Sequence, residues 1–585
     1  MKKQYTLLIS LLLILVSLFV QGCDTTPQGP GENTGDPVDT TPVVQDLAIV
    51  ENGSTQYTLV TSEFASDKTS ESVRKILDAF NSTTGVKPQW TDDYLDPKDP
   101  VPAKEILVGI TCREESLAIM QDVRYGEYVI RTVDDKIVIA AWDEESLADA
   151  CSKFANYIKR SGTQGTLTLP GDYVQQDVGL EVLLQMPHYG AEDEAVQFID
   201  LADASYMLLA EDTDLAEFEA YYSVLEAAGY TCFSKRQMAN NHYAVYTNEE
   251  KIIHASFTAS KRDARITIDN AYDMSIFTET EYEKVCEPSV TLVGLEGYGG
   301  IDGTKPGTRY GNPIGLLMIF RMEDGRFVVV DGGGLATETI SLIYDNLYEL
   351  AVDKDNIVIA AWILTHAHGD HVGGFSMFSG SSRKDKVTVQ NFIHHFCTTQ
   401  QYNNCKDHGR AAEARQLMRT YKGANIIKAH AGQLLKIGGA EIEVLCTSGD
   451  LEPYTLQDHN TSSVVFRVTA AGNSVLVLGD ASYITNSYLV KEYGDYLKSD
   501  MVQLAHHGYA GGTVLLYETV DAEVVLWPGG VGGFDGGLEP QDLRYRDANA
   551  RAIELAEEVY VAGEAVHTLI MPYTPEEVEI TKIIK

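Results

Sequence analysis

The chain has 585 residues, with 45 Lys plus Arg against 85 Asp plus Glu and a formal net charge of -40. A generally basic surface that binds nucleic acid by neutralising its phosphates is therefore excluded. With 44% hydrophobic and 22% charged residues the composition is that of a folded globular protein, and the length exceeds the roughly 250–300 residues that one core fills, so two or three domains are expected.

Residues 1–22 open with Met1-Lys2-Lys3, run apolar from Leu7 to Val20 and end Gln21-Gly22, the pattern of an export signal. The placement of Cys23 after Val20-Gln21-Gly22 resembles a bacterial lipobox. That resemblance implies cleavage before Cys23, lipidation of that cysteine, and a mature protein held on the extracytoplasmic face of the cell membrane by its lipid alone. Residues 23–46 are rich in Thr, Pro, Gly and acid, too polar to fold, and read as a flexible tether. The other seven cysteines show no CxxC spacing. They read as free buried thiols, with Cys397 and Cys405 the closest pair.

Between residues 47 and 180, Lys104–Gly109 reads as a strand, Tyr128–Arg131 and Lys136–Ala141 as a hairpin, and Glu144–Ile158 as a helix with Leu147, Ala150, Cys151, Phe154 and Ile158 on one face. This stretch resembles the α+β domain that precedes the catalytic domain in some glycoside hydrolases, and it carries no catalytic motif. Residues 183–287 form a second small α+β unit. Its helix, Leu215–Ala228, ends at Gly229, and three strands lie around 243–246, 252–257 and 265–268. His242 and His254 read here as ordinary packed or surface histidines.

Of the 14 histidines, ten lie between His366 and His507. An apolar strand, Ile357–Leu364, delivers Thr365-His366-Ala367-His368-Gly369-Asp370-His371. Three imidazoles and a carboxylate within six residues at a strand end are the borderline N and O donors that a transition metal takes. This motif closely resembles the hallmark of the metallo-β-lactamase superfamily. Phe327–Gly334, Ser474–Asp480 and Met501–Gly508 resemble that family's further motifs. With Asp458–Phe466 added, the set looks most like the hydrolase domain of the DNA-uptake protein ComEC and the phosphorylcholine esterases.

The resemblance implies an α+β chain: a carboxyl-terminal four-layer αββα sandwich over residues 288–585, preceded by two small α+β domains. It implies that His366 and His368 hold one metal, that Asp370, His371 and His507 hold a second, and that Asp480 bridges them. His506 is the alternative ligand of its pair and otherwise a substrate contact. The remaining position of the first metal falls on His459 or Asn460, and Asp331 orients the site through hydrogen bonds. Two divalent ions are implied, zinc first, with manganese or iron as alternatives. Such a pair suits hydrolysis of a phosphodiester or related ester by a metal-bridged hydroxide, with Asp370 passing the proton.

Between Arg383 and Lys436 ten basic residues face three acidic ones, a local +7. His408–Tyr421 reads as a helix whose basic face is either plainly solvated or draws an anionic small-molecule or polymer substrate to the metals. A lactonase or amide hydrolase at the same site is the alternative enzyme; a surface glycan-binding lipoprotein with a degenerate metal fold is the alternative of another class. Gly299–Gly303 lacks the Lys-Ser/Thr of a phosphate-binding loop, and Pro528–Gly533 reads as a loop after a late core strand.

Overall fold

The computed structural model of the chain describes residues 45–573 apart from 97, 99, 122, 124–126, 178–185, 191–195, 296–314, 510, 530–542 and 563–565. The expected signal, Cys23, nearly all of the tether, the segment 299–303 and most of 528–533 lie outside the described residues. Residues Asp46–Lys585 cluster as one compact unit. No helix among the described residues is long and apolar enough to cross a membrane.

The chain is mixed α and β with several sheets. The first large sheet has six strands: Gln89–Asp92, Thr58–Thr61, Glu105–Val108 and Lys136–Ala141 run parallel, and Tyr128–Val133 and Val174–Asp177 are added antiparallel. The helix expected at Glu144 runs to Ser161, starts on an Asp143 cap that accepts from the Ser146 amide, and buries Ala150, Cys151, Phe154 and Ile158. Next comes a six-stranded antiparallel sheet, where three strands were expected. Thr231–Met238 and Val196–Asp200 leave most of their side chains at least partly exposed, so they lack the apolar alternation that marks a strand.

Two sheets follow. One includes, in order, Asn425–Lys428, Asn391–His394, Ile357–Leu364, Phe327–Val330, Met318–Arg321, Ser289–Leu292 and His567–Ile570. The other runs from Leu434–Ile437 through Ala440–Cys446, Val465–Ala470, Asn473–Val477, Met501–Gln503 and Val524–Trp527 to Glu558–Val561. They share one core: Val328, Val330 and Ile363 meet Val444, Phe466, Val477 and Leu526. The alternate residues Phe327, Val329, Trp362 and Leu364 pack on helices Thr337–Leu350, Gly369–Ser379 and Cys405–Met418. The second sheet's outer face covers Leu489, Leu516 and Ala548 of helices Tyr483–Tyr493, Val514–Val520 and Leu543–Leu555. Strands buried on both faces read as unbroken apolar runs, as Phe327–Val330 and Ile357–Leu364 do.

The cysteines meet the expectation of free buried thiols in part. Cys112 is held in a disulfide, while Cys151, Cys397 and Cys446 are free and buried and Cys232 is free and exposed. Disulfide pairing needs Cα atoms within about 4.4–6.8 Å, a distance that sequence spacing does not report.

Candidate metal centre

Four strands bring the candidate ligands to one place. Val330 pairs in parallel with Ile363, so Asp331 follows beside Leu364 and Thr365. Val475 and Leu476 pair in parallel with Met501 and Val502, which brings Asp480 next to His506 and His507. The Val464 amide donates to the Thr365 carbonyl at 3.0 Å, tying the two sheets at this edge. Gln503 fixes the turn before Asp480: its side-chain carbonyl accepts from the Leu478 and Gly479 amides, both at 2.8 Å, and its amide donates to the Gly479 carbonyl at 3.0 Å.

Two sets of donor atoms result, each converging within 4.8 Å: His366, His368 and Asp480; and Asp370, His371, Asp480 and His507. Asp480 is common to both and 1% exposed. Its Oδ2 lies 3.1 Å from His371 Nε2, 3.4 Å from His507 Nε2, 3.7 Å from His506 Nε2 and 3.9 Å from His366 Nε2. His507 Nε2 is also 3.5 Å from Asp370 Oδ2. Asp370, in the first turn of its helix, is the half-open member, at 31% side-chain exposure.

The surrounding hydrogen bonds fix which nitrogen each ring presents. Asp331 accepts from the Thr365 amide and hydroxyl and from His371 Nδ1, each at 2.7 Å, which turns His371 Nε2 inward. It does so from a left-handed backbone, φ +54, a conformation that costs a non-glycine residue on the order of 1–3 kcal/mol. Thr365 and Ser463 hydroxyls lie 3.1 and 3.3 Å from His366 Nδ1, leaving His366 Nε2 to face His368 Nδ1 at 3.1 Å. The far nitrogen of His368, Nε2, lies 3.7 Å from Asp407 Oδ2. His506 and His507 both take positive φ. Gly508 follows at φ +81, and a Cβ there would sit 2.3 Å from Trp527. Gly374 lets its helix meet the Asp331 strand end, since a Cβ there would lie 1.9 Å from the Gly332 carbonyl oxygen.

These residues fit a cation. Both carboxylate oxygens of Asp480 and Nδ1 of His507 are buried without a hydrogen-bond partner, a cost of several kcal/mol for a charged group unless a positive charge answers it. The pairs His366 Nε2···His368 Nδ1 and His371 Nε2···His507 Nε2, 3.1 and 3.2 Å apart, set nitrogen lone pairs against each other unless a proton or a metal stands between. Burial disfavours ionised Asp480, yet His371 and His507 outweigh it and hold it well below the carboxylate range. Burial, with His371 and His368 beside it, holds His366 well below the usual imidazole value. His507 is pushed up to about 9, with burial opposing and Asp480 and Asp370 prevailing.

Residues 315–529 match the family model described as the Metallo-beta-lactamase superfamily. The chain carries a metallo-β-lactamase superfamily domain. No curated protein matches the chain. Similar solved structures include CmlA, a diiron beta-hydroxylase from Streptomyces venezuelae (12% identity, 50% of this chain and 55% of that one, TM-score 0.30), and Zn(2+)-bound PqqB from Methylobacterium extorquens (9%, 39% and 73%, 0.24). A diphosphatase from the PhnP family is another (12%, 41% and 85%, 0.23). The chain thus spans little more than half the length of CmlA.

Within this metal-dependent hydrolase fold, His366, His368, Asp370, His371, Asp480 and His507 come together. His459 and His506 stay outside both sets. His459 is buried with its Nε2 unpartnered, its ring 5.2 Å from that of His368; Asn460 Nδ2 lies 3.4 Å from both His506 ring nitrogens. The basic segment does not stand free. Arg415 and Lys428 meet Asp203, Arg383 meets Asp345, and Arg419 meets Glu144, acids far away in sequence that the local sum of +7 left out. Arg410 lies beside the ligand motif: a Cβ on Gly369 would lie 2.9 Å from its Cζ. Asp407 and Gln503 were not singled out in the sequence, because each acts across the fold, Asp407 on His368 and Gln503 on the turn before Asp480.

Proposed function

We propose that residues 288–585 form a four-layer αββα hydrolase domain that cleaves a phosphodiester or related ester of an anionic substrate, on a protein lipid-anchored at Cys23 on the extracytoplasmic face of the cell membrane. Residues 47–180 and 183–287 would be two α+β domains ahead of it, and the branch would be that of ComEC and the phosphorylcholine esterases. The observation that carries the reading is the buried carboxylate of Asp480, without a hydrogen bond and shared by two sets of imidazoles.

Two divalent ions, zinc first, would be held by His366, His368 and Asp480 and by Asp370, His371, His507 and Asp480, and would supply Lewis-acid charge for an in-line displacement. Asp370 is held ionised by His507 and His371 despite burial; as the half-open carboxylate of the centre it is the group placed to take a proton from the attacking water and return it to the leaving group. Arg410, 26% exposed beside Gly369, offers a cation to a substrate phosphate. Hydrolysis of bis(p-nitrophenyl) phosphate by the purified protein with Zn²⁺ or Mn²⁺ tests this. The double variant His368→Ala, Asp370→Ala should lose at least 100-fold in rate; unchanged turnover in that variant sinks the reading, and turnover of lactone but not phosphodiester would reassign the substrate.

A further inference from the structure

A second group of ligand-type side chains lies away from the catalytic residues. His254, Asp269 and His430 are 7%, 5% and 6% exposed, and one donor atom from each lies within 4.8 Å of the others. His254 and Asp269 come from neighbouring antiparallel strands, Lys251–Thr258 and Asp263–Asn270. Ile252 is opposite Asp269, which makes His254 its diagonal neighbour on the same face. His430 lies in the connection between Asn425–Lys428 of one catalytic sheet and Leu434–Ile437 of the other.

His430 Nε2 and Asp269 Oδ2 share a hydrogen bond at 2.8 Å, but that bond leaves half of the carboxylate unanswered. Both Nε2 atoms aim at one oxygen, Asp269 Oδ2, at 2.8 Å from His430 and 3.5 Å from His254, with the rings stacked at 4.4 Å. Asp269 Oδ1 is buried and has no partner at all. Bonds of about 2.0–2.1 Å in a tetrahedron put ligand atoms roughly 3.3–3.4 Å apart, near the 3.5 Å of His254 and wider than the 2.8 Å of His430, which would have to open by about half an ångström. His254 and His430 also border a cavity of about 30 Å³ whose lining does not include Asp269, room for a water beside the cluster, since one water needs about 10–15 Å³. The Tyr272 hydroxyl lies 3.4 Å from His254 Nε2. The neighbouring ammonium of Lys428 does not compete for the carboxylate; it is turned to the Leu201 and Ala202 carbonyls and to Asp203.

We infer that His254, Asp269 and His430 form a further binding site for a zinc-type divalent ion, non-catalytic, which pins the antiparallel sheet of residues 196–270 to the connection between the two catalytic sheets. Two imidazoles and one carboxylate suit zinc, with water or Tyr272 completing four ligands. The site is independent of the catalytic reading and stands or falls apart from it. The full chain, loaded with Zn²⁺ and desalted, is crystallised and mapped by anomalous scattering at the zinc edge, and its zinc content per chain is measured beside that of the variant His254→Ala, Asp269→Asn. The expected result is a peak within bonding distance of all three side chains, one zinc fewer per chain in the variant, and phosphodiester turnover within twofold of wild type. No peak there while the catalytic ligands are occupied, or equal zinc content in variant and wild type, overturns the inference; should the variant not fold, the wild-type map alone decides.

Discussion

Asp407 shows how a residue without a motif acts at the centre. Its carboxylate lies against His368 Nε2, and a ring held from that side turns Nδ1 towards His366. Removing the carboxylate frees the ring to rotate. Asp407→Ala should therefore weaken metal binding by about 10–100-fold, read by competition with a chelator, while far-ultraviolet circular dichroism stays unchanged; unaltered affinity would dissociate Asp407 from the site. Glu452 presents a separate case. Burial, opposed by Arg265 and reinforced by Asp200, pushes its carboxyl up to about 7. An acid whose pKa is raised on folding binds its proton more tightly in the native state, so its contribution falls as pH rises from about 4.5 through 7. Glu452→Gln should then raise stability at pH 8 by up to about 3 kcal/mol, with little change at pH 4.5, in urea unfolding. A gain equal at both pH values would contradict this.

At the scale of elements, legibility in the sequence followed burial and contiguity. Ile357–Leu364 and Phe327–Val330 were readable as apolar runs, and the ligands were readable because each set sits within a few residues of a strand end. The strand Thr231–Met238 escaped notice because it buries few of its residues. The basic helix illustrates a different limit. Charge counted along the chain gives +7, whereas charge in space is answered by Asp203, Asp345 and Glu144. Its favoured role is then structural. Asp203→Ala should destabilise the protein by about 3 kcal/mol, since Arg415 and the buried Lys428 lose their partner together. The Km for bis(p-nitrophenyl) phosphate should barely move; a tenfold rise in Km without loss of stability would restore the helix as a substrate-attracting surface.

Over the whole molecule, the acidic excess and the metal centre fit together once charge is placed in space. Of the ten basic residues of the 383–436 segment, Arg383, Arg410, Arg415, Arg419 and Lys428 lie in ion pairs, and Arg410 is the cation beside the motif. It also lies 5.9 Å over the ring of Phe64, so the first sheet's connecting loop reaches the vicinity of the catalytic ligands. His254 is packed, as its sequence reads, at 7% exposure, and only the fold brings Asp269 and His430 to it. The central claim is that hydrolysis depends on metal held by the imidazoles and carboxylates around Asp480. Stripping the purified chain with a chelator and titrating Zn²⁺ back while following bis(p-nitrophenyl) phosphate turnover tests it most directly. Activity should vanish and return with added metal in the wild type and stay absent in Asp480→Ala at every concentration. Full turnover by the stripped protein, or metal-restored turnover in Asp480→Ala equal to wild type, would contradict the account.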